Sequence, residues 1–228
     1  MDLRTWFASL PKFRRGAFFL FATVATLTLL LADQPVARTL LLRPADVLDG
    51  LALWQPLTAL LLYPDHQVGM LFGTLLIQWF AGSELEGFWG TRKYLTLVVG
   101  SAVAGHLLQV LLAWVVPLAA ILPVGGATGM DLAALTAFGV VFGKRSLQLI
   151  PLTVRTFAAI MVVLTLVSPL LRGAPWPTVV PWVVAVGIAL LVTTQPWRRT
   201  RTSGKVAGAR KRNRKHLRVV KPDPRQLN

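Results

Sequence analysis

Residues Tyr94–Val116 read YLTLVVGSAVAGHLLQVLLAWVV, a stretch without a single Asp, Glu, Lys or Arg. As an α-helix it would extend roughly 35 Å, enough to cross the ~30 Å of hydrocarbon in a bilayer. Five further apolar runs accompany it, at about Ala17–Ala32, Val68–Glu84, Val124–Phe142, Leu152–Leu171 and Thr178–Gln195. Hydrophobic residues make up 54% of the 228 and charged ones only 14%, with a mean hydropathy of +0.60. Soluble folds average about 25% charged residues, so this chain has too little polar surface to coat a globule in water. The expected fold class is therefore all-α: a polytopic bundle of six transmembrane helices.

The segment Val47–Tyr63 is apolar after Leu51 but is interrupted by Asp49, Gly50 and Pro56. Its uninterrupted part, Leu57–Tyr63, is far too short to span. It is expected as an interfacial first loop, or one dipping into the membrane where protein covers its backbone. Six spans also suit the charge distribution. With the N-terminus inside, 21 of the 24 Lys and Arg residues fall in inside segments, and only Arg38, Arg43 and Arg172 fall outside. A seventh span would export the tail from Arg198, which alone holds twelve basic residues against one acid, Asp223; the positive-inside rule opposes that. Trp6, Trp54, Trp89, Trp114, Trp176, Trp182 and Trp197 also fall near the expected helix ends, as interfacial indoles do. The alternative of a cleaved signal peptide at Ala17–Ala32 is disfavoured, because the run exceeds the usual ~7–15 apolar residues of a signal core. The expected organisation is a cytoplasmic segment 1–16, a membrane domain 17–197 and a disordered basic tail 198–228, in the plasma membrane with both termini cytoplasmic.

Small residues recur at four-residue spacing: Gly69 and Gly73, Gly100 and Ala104, Gly129 with Ala133 and Ala137, and Ala185 with Ala189. Such faces let helix backbones approach closely in lipid. With no cysteine in the chain, thiolate metal sites and disulfides are excluded; no metal constellation or phosphate-cradling loop is present, and no cofactor is expected. The tail has no aromatic residue for stacking on bases. Anionic lipids are its expected partner, at ~1 kcal/mol per basic residue near the surface, and no specific nucleic acid is expected.

Three motifs in order carry a resemblance. Trp54-Gln55-Pro56-Leu57-Thr58 lies in the first loop; Glu86-Gly87-Phe88-Trp89-Gly90-Thr91-Arg92 joins the second and third runs; Gly126-Ala127-Thr128-Gly129, with Ala133 four residues on, opens the fourth. Together with the six-helix layout, these resemble the rhomboid family of intramembrane serine proteases. The resemblance makes Trp54, Glu86, Gly90, Arg92, Gly126 and Gly129 family structural positions. It also places a serine nucleophile where this chain has Thr128, and a histidine base in the sixth helix, where Val180 or Val184 stands instead. The family's oxyanion-holding His-x3-Asn would fall near Met70 and Thr74. A hydroxyl attacks poorly unless a base takes its proton, and loss of one oxyanion donor alone can lower a rate ~10²–10³-fold.

Thr128 is thus a degenerate nucleophile position, and His106 and Asp131 are the other candidates for catalysis. His106 is expected as a neutral histidine bonded between helices. Asp131, whose charge in lipid costs ~2.5–3.5 kcal/mol, should face the bundle interior and pair with His106 or a hydroxyl; a Thr128–His106–Asp131 triad is the sharper alternative. Glu84 and Glu86, beside Arg92 and Lys93, are expected as structural caps and salt bridges. The favoured function is a non-proteolytic rhomboid-like protein that binds transmembrane segments of client proteins. The alternatives are an active endopeptidase using Thr128 and a small transporter built on His106 and Asp131.

Overall fold

The computed structural model describes residues 12–50, 52–146 and 151–194, apart from the side chain of His66. The basic tail and residues 1–11 lie outside the described residues, as do the expectations that rest on them. Six principal helices follow one another. α1 is Arg15–Leu31, α3 Thr91–Leu112, α4 Thr128–Val141, α5 Val154–Leu171 and α6 Val180–Thr194. α2 is composite: Met70–Ile77, a π-helical turn Gln78–Gly82, and Ser83–Trp89. It continues beyond the expected end at Glu84 until Gly90, whose φ of 81° breaks the helix and starts α3. Glycine takes that conformation without the steric penalty a Cβ brings.

Three helical segments, Thr91–Leu112, Val154–Leu171 and Trp176–Thr194, are long and apolar enough to cross a membrane. Their outward side chains suit that solvent. Leu107, Leu111, Val163, Leu164, Leu190 and Leu191 are all exposed, as are Phe18, Phe19, Leu29 and Leu30 on α1. A water-soluble monomer rarely shows so large an apolar surface; a helix in lipid needs one, because its backbone bonds are satisfied within itself. This is an all-α polytopic membrane bundle.

α4 is the element on which the others converge, and it is shorter than its apolar run. Fourteen residues extend only about 21 Å, so α4 begins well inside the bundle. The expected helical start Val124–Ala127 is instead irregular backbone, covered by the first loop. Val124 and Leu42 exchange both backbone N–H···O bonds at 2.9 Å, and the Gly126 N–H donates to the Ala59 carbonyl at 2.8 Å. Gly126 has φ 97°, and a Cβ there would lie 2.3 Å from the Tyr63 ring. Chain reversal and aromatic contact both demand glycine at that position.

The first loop does not span. It is a series of short helical turns, Ala37–Leu40, Pro44–Leu48, Gln55–Thr58 and Ala59–Leu61, held by side chains of the Trp54 motif. The Trp54 indole donates to the Thr39 carbonyl at 3.0 Å, the Thr58 hydroxyl to Leu40 at 2.8 Å, and the Gln55 amide oxygen accepts from the Arg43 N–H at 2.8 Å.

Small residues close the bundle on some faces and not on others. Ala133, Ala185 and Ala189 form one buried cluster, and Gly129 faces Ala102 and Ala185. At Gly105 a Cβ would come within 2.3 Å of the Pro181 carbonyl oxygen, so α3 and the start of α6 meet backbone to backbone. Gly69 and Gly73 differ: a Cβ on either would meet nothing within 4 Å. The close packing expected of that pair is absent within the described residues, and this face of α2 is open.

Candidate functional site

Thr74, Gln78, Thr128 and Asp131 are each at most 4% exposed, on two adjacent helices. Thr74 and Gln78 lie four residues apart on α2, while Asp131 occupies the first turn of α4, where the helix dipole favours an acid. Both carboxylate oxygens of Asp131 are used. The Thr74 hydroxyl donates to Oδ2 at 2.6 Å and the Gln78 amide donates to Oδ1 at 2.8 Å. The Gln78 amide oxygen in turn accepts from the Tyr94 hydroxyl. On the other side, Tyr63 Oη lies 2.9 Å from Thr74 Oγ1 and 3.5 Å from Thr128 Oγ1.

The donor inventory orients this chain. A threonine hydroxyl has one hydrogen, and that of Thr74 goes to Asp131. The Tyr63 hydroxyl therefore donates to Thr74, which leaves Thr128 as donor to Tyr63. Every arrow converges on the Asp131 carboxylate. The 3.5 Å contact is long for an O–H···O bond, whose usual range is ~2.5–3.0 Å, so Thr128 is the loosely held end.

The π turn in α2 serves this cluster. Such single turns recur at functional positions; here the turn opens at Gln78, and Gly82 makes room below it. A Cβ at Gly82 would sit 2.7 Å from the Tyr94 hydroxyl and 2.8 Å from the Gln78 amide oxygen.

His106 belongs to a different neighbourhood. Its Nδ1 lies 3.0 Å from the Pro56 carbonyl oxygen, tying the middle of α3 to the first loop. Among the described residues no hydrogen bond links His106 with Thr128 or Asp131. The structure thus joins Thr128 and Asp131 through intervening hydroxyls and gives His106 a first-loop carbonyl as its hydrogen-bond partner. Asp131 pairs with a hydroxyl, Thr74, one of the two partners anticipated. Met70 is exposed and lies outside the cluster. Neither Tyr63, Gln78 nor Tyr94 was anticipated; a buried glutamine one helical turn from Thr74 was the available signal.

The family positions sit in the frame around this cluster. Trp54 anchors the first loop, and Gly129 lies where α4 passes Ala102 of α3 and Ala185 of α6. Glu86 is 5% exposed and caps α1: its Oε1 accepts from the Gly16 N–H at 3.0 Å and the Thr91 hydroxyl at 2.6 Å, and its Oε2 from the Ala17 N–H at 2.9 Å. Arg92 is exposed in the first turn of α3. Glu84 forms an ion pair with Arg145 at 3.3 Å.

Residues 51–197 match the Rhomboid domain among protein-family profiles. The chain belongs to the rhomboid family. No curated protein matches it by sequence. Within this rhomboid, α6 (VPWVVAVGIALLVTT) contains no histidine, carboxylate or other ionisable side chain. The hydroxyl at the start of α4 faces the Tyr63 phenol, whose oxygen also lies 2.9 Å from Thr74 Oγ1. A neutral phenol oxygen is a poor proton acceptor, so this contact does not activate Thr128 as an imidazole would.

A cleft opens on the other end of the molecule from Glu86. It is lined by Gly69 and Met70 at the start of α2, by Val124 and Gly125 before α4, and by Pro169 and Trp182 of α5 and α6, and encloses about 570 Å³. The open Gly69–Gly73 face borders it.

Proposed function

We propose that this rhomboid is a pseudoprotease that holds transmembrane helices of client proteins without cutting them, in the plasma membrane with both termini in the cytoplasm. The carrying observation is the pairing at Thr128, whose hydroxyl meets Tyr63 and, among the described residues, hydrogen-bonds to no nitrogen base. The binding surface is the Gly69-x3-Gly73 face of α2 beside the cleft. An open small-residue face invites a second helix to pack backbone against backbone, the contact that drives association in lipid.

A fluorescently labelled single-span peptide carrying its own Gly-x3-Gly face is the probe. Energy transfer between it and the labelled full chain in lipid nanodiscs should report association. Gly73→Leu should weaken association about tenfold, equivalent to roughly 1.4 kcal/mol, whereas Thr128→Ala should leave it unchanged. Unaltered energy transfer in Gly73→Leu would remove the α2 face from the reading.

One observation favours a second reading, residual peptidase activity: the hydroxyl chain from Thr128 through Tyr63 and Thr74 ends on a carboxylate. In that case Tyr63→Phe would abolish a measurable cleavage by interrupting the chain, while His106→Ala would not.

A further inference from the structure

We infer that the cavity between the lead-in to α1 and the ends of α2 and α4 binds the phosphate of an anionic phospholipid headgroup. Its lining residues are not those of the basic tail, and lipid binding there is independent of whether clients are bound or cut.

The cavity encloses about 590 Å³, within the usual range for small-ligand sites. Lys12 and Arg14 line it from the segment before α1, Glu84 and Phe88 from α2, and Phe142 and Arg145 from the end of α4. Three cations therefore face one carboxylate. Glu84 is engaged by a single Arg145 nitrogen at 3.3 Å, which leaves the rest of that guanidinium fork available. The Arg145 guanidinium is held in place over the Phe142 ring, 4.4 Å from its centroid. Arg14 is positioned by its backbone, whose N–H donates to the Ser83 hydroxyl at 3.1 Å. Its side chain lies against Gly87, where a Cβ would be 2.9 Å from Nε and 3.0 Å from Nη2. Glycine at 87 is what lets the guanidinium rest on the helix. Nearby Glu86 attracts Arg14 electrostatically, but its oxygens accept from two backbone N–H groups and Thr91, and it does not line the cavity.

Guanidinium groups bind phosphate oxygens through charge-assisted and often paired hydrogen bonds. The apolar wall selects the source of that phosphate. Phe88 is 63% exposed and packs edge-on against Phe142, with centroids 5.8 Å apart and planes at 71°. An exposed aromatic at a helix end beside cations matches the boundary where headgroup meets acyl chain. A free phosphate would use the cations and leave Phe88 idle; a phospholipid uses both.

Native mass spectrometry of the detergent-purified full chain, titrated with phosphatidylglycerol or with phosphatidylcholine of the same acyl chains, tests the inference. The wild type should hold one phosphatidylglycerol in clear preference to phosphatidylcholine. Arg14→Gln combined with Arg145→Gln should weaken that site by on the order of tenfold. Gly87→Leu, which fills the cavity and displaces Arg14 without changing net charge, should do the same, so simple loss of basicity would not account for the result. Equal retention of the lipid in both variants overturns the inference. So does loss of the lipid on neutralising only the bases of Arg198–Asn228. Displacement of phosphatidylglycerol by inorganic phosphate at equal concentration would make the ligand a free anion and overturn the assignment to lipid.

Discussion

Asp131→Leu is expected to destabilise the bundle by about 3 kcal/mol, because it orphans buried donors rather than merely deleting one bond. Thr74 and Gln78 both direct hydrogens at this carboxylate, at 2.6 and 2.8 Å, and nothing in a leucine receives them. Buried donors left without partners lose the full benefit of solvation. Thermal unfolding in detergent should fall by roughly 6–12 °C for a domain of this size. Asp131→Asn keeps the volume and one acceptor oxygen, so a smaller loss of about 1–2 kcal/mol follows. The graded order is the informative result: interhelical hydrogen bonds in membranes average only ~0.6 kcal/mol each, so a loss well above that value identifies orphaning of several groups together. A melting temperature for Asp131→Leu within 1 °C of wild type would show that the carboxylate is not the acceptor at the centre of the cluster.

Glu86→Ala is expected to be comparably damaging, at about 2–3 kcal/mol, though for a different reason. Its two oxygens satisfy the Gly16 and Ala17 N–H groups at the first turn of α1, where no intrahelical acceptor exists, and also hold the Thr91 hydroxyl at the start of α3. One side chain therefore fixes α1 to the turn between α2 and α3. Glu86→Gln should lose less, since it retains one acceptor but turns an amide N–H₂ toward a donor. Hydrogen exchange localises the effect: protection should fall across the first two turns of α1 before it falls in α4. Uniform loss over the whole bundle, or none, would contradict a capping role. The lipid site proposed above lies beside this cap, yet its cations are other residues, so the two sets of variants separate.

The membrane solvent, the six helices and the non-spanning first loop were legible because apolar run length and the placement of Lys and Arg follow directly from the cost of burying charge. The motif around Gly126–Gly129 was legible too, and Gly126 needs the absence of a side chain beside the Tyr63 ring. Helix ends were less so. Composition alone does not reveal that Val124–Ala127 leaves the helix to pair with the first loop, since those residues are as apolar as the helix they precede. Equally, nothing in the run Val68–Glu84 announces a π turn at Gln78, or that Gly82 yields space to Tyr94. The cluster around Asp131 draws Tyr63, Thr74 with Gln78, and Tyr94 from three other stretches of chain, and only the folded arrangement brings them together. His106, one of three histidines, drew attention as an ionisable group within an apolar run, yet a loop carbonyl accounts for it. The Gly69–Gly73 pair shows the converse: spacing predicts a packing face, yet among the described residues neither glycine meets a neighbour.

Proteolysis by the purified chain is the most direct test of the proposal that it does not cut its clients. Purified chain reconstituted in liposomes with a labelled transmembrane substrate should yield no product above that of the Thr128→Ala variant. Cleavage that Thr128→Ala abolishes would mean that a proton acceptor reaches this hydroxyl after all, and the protein would be a working peptidase.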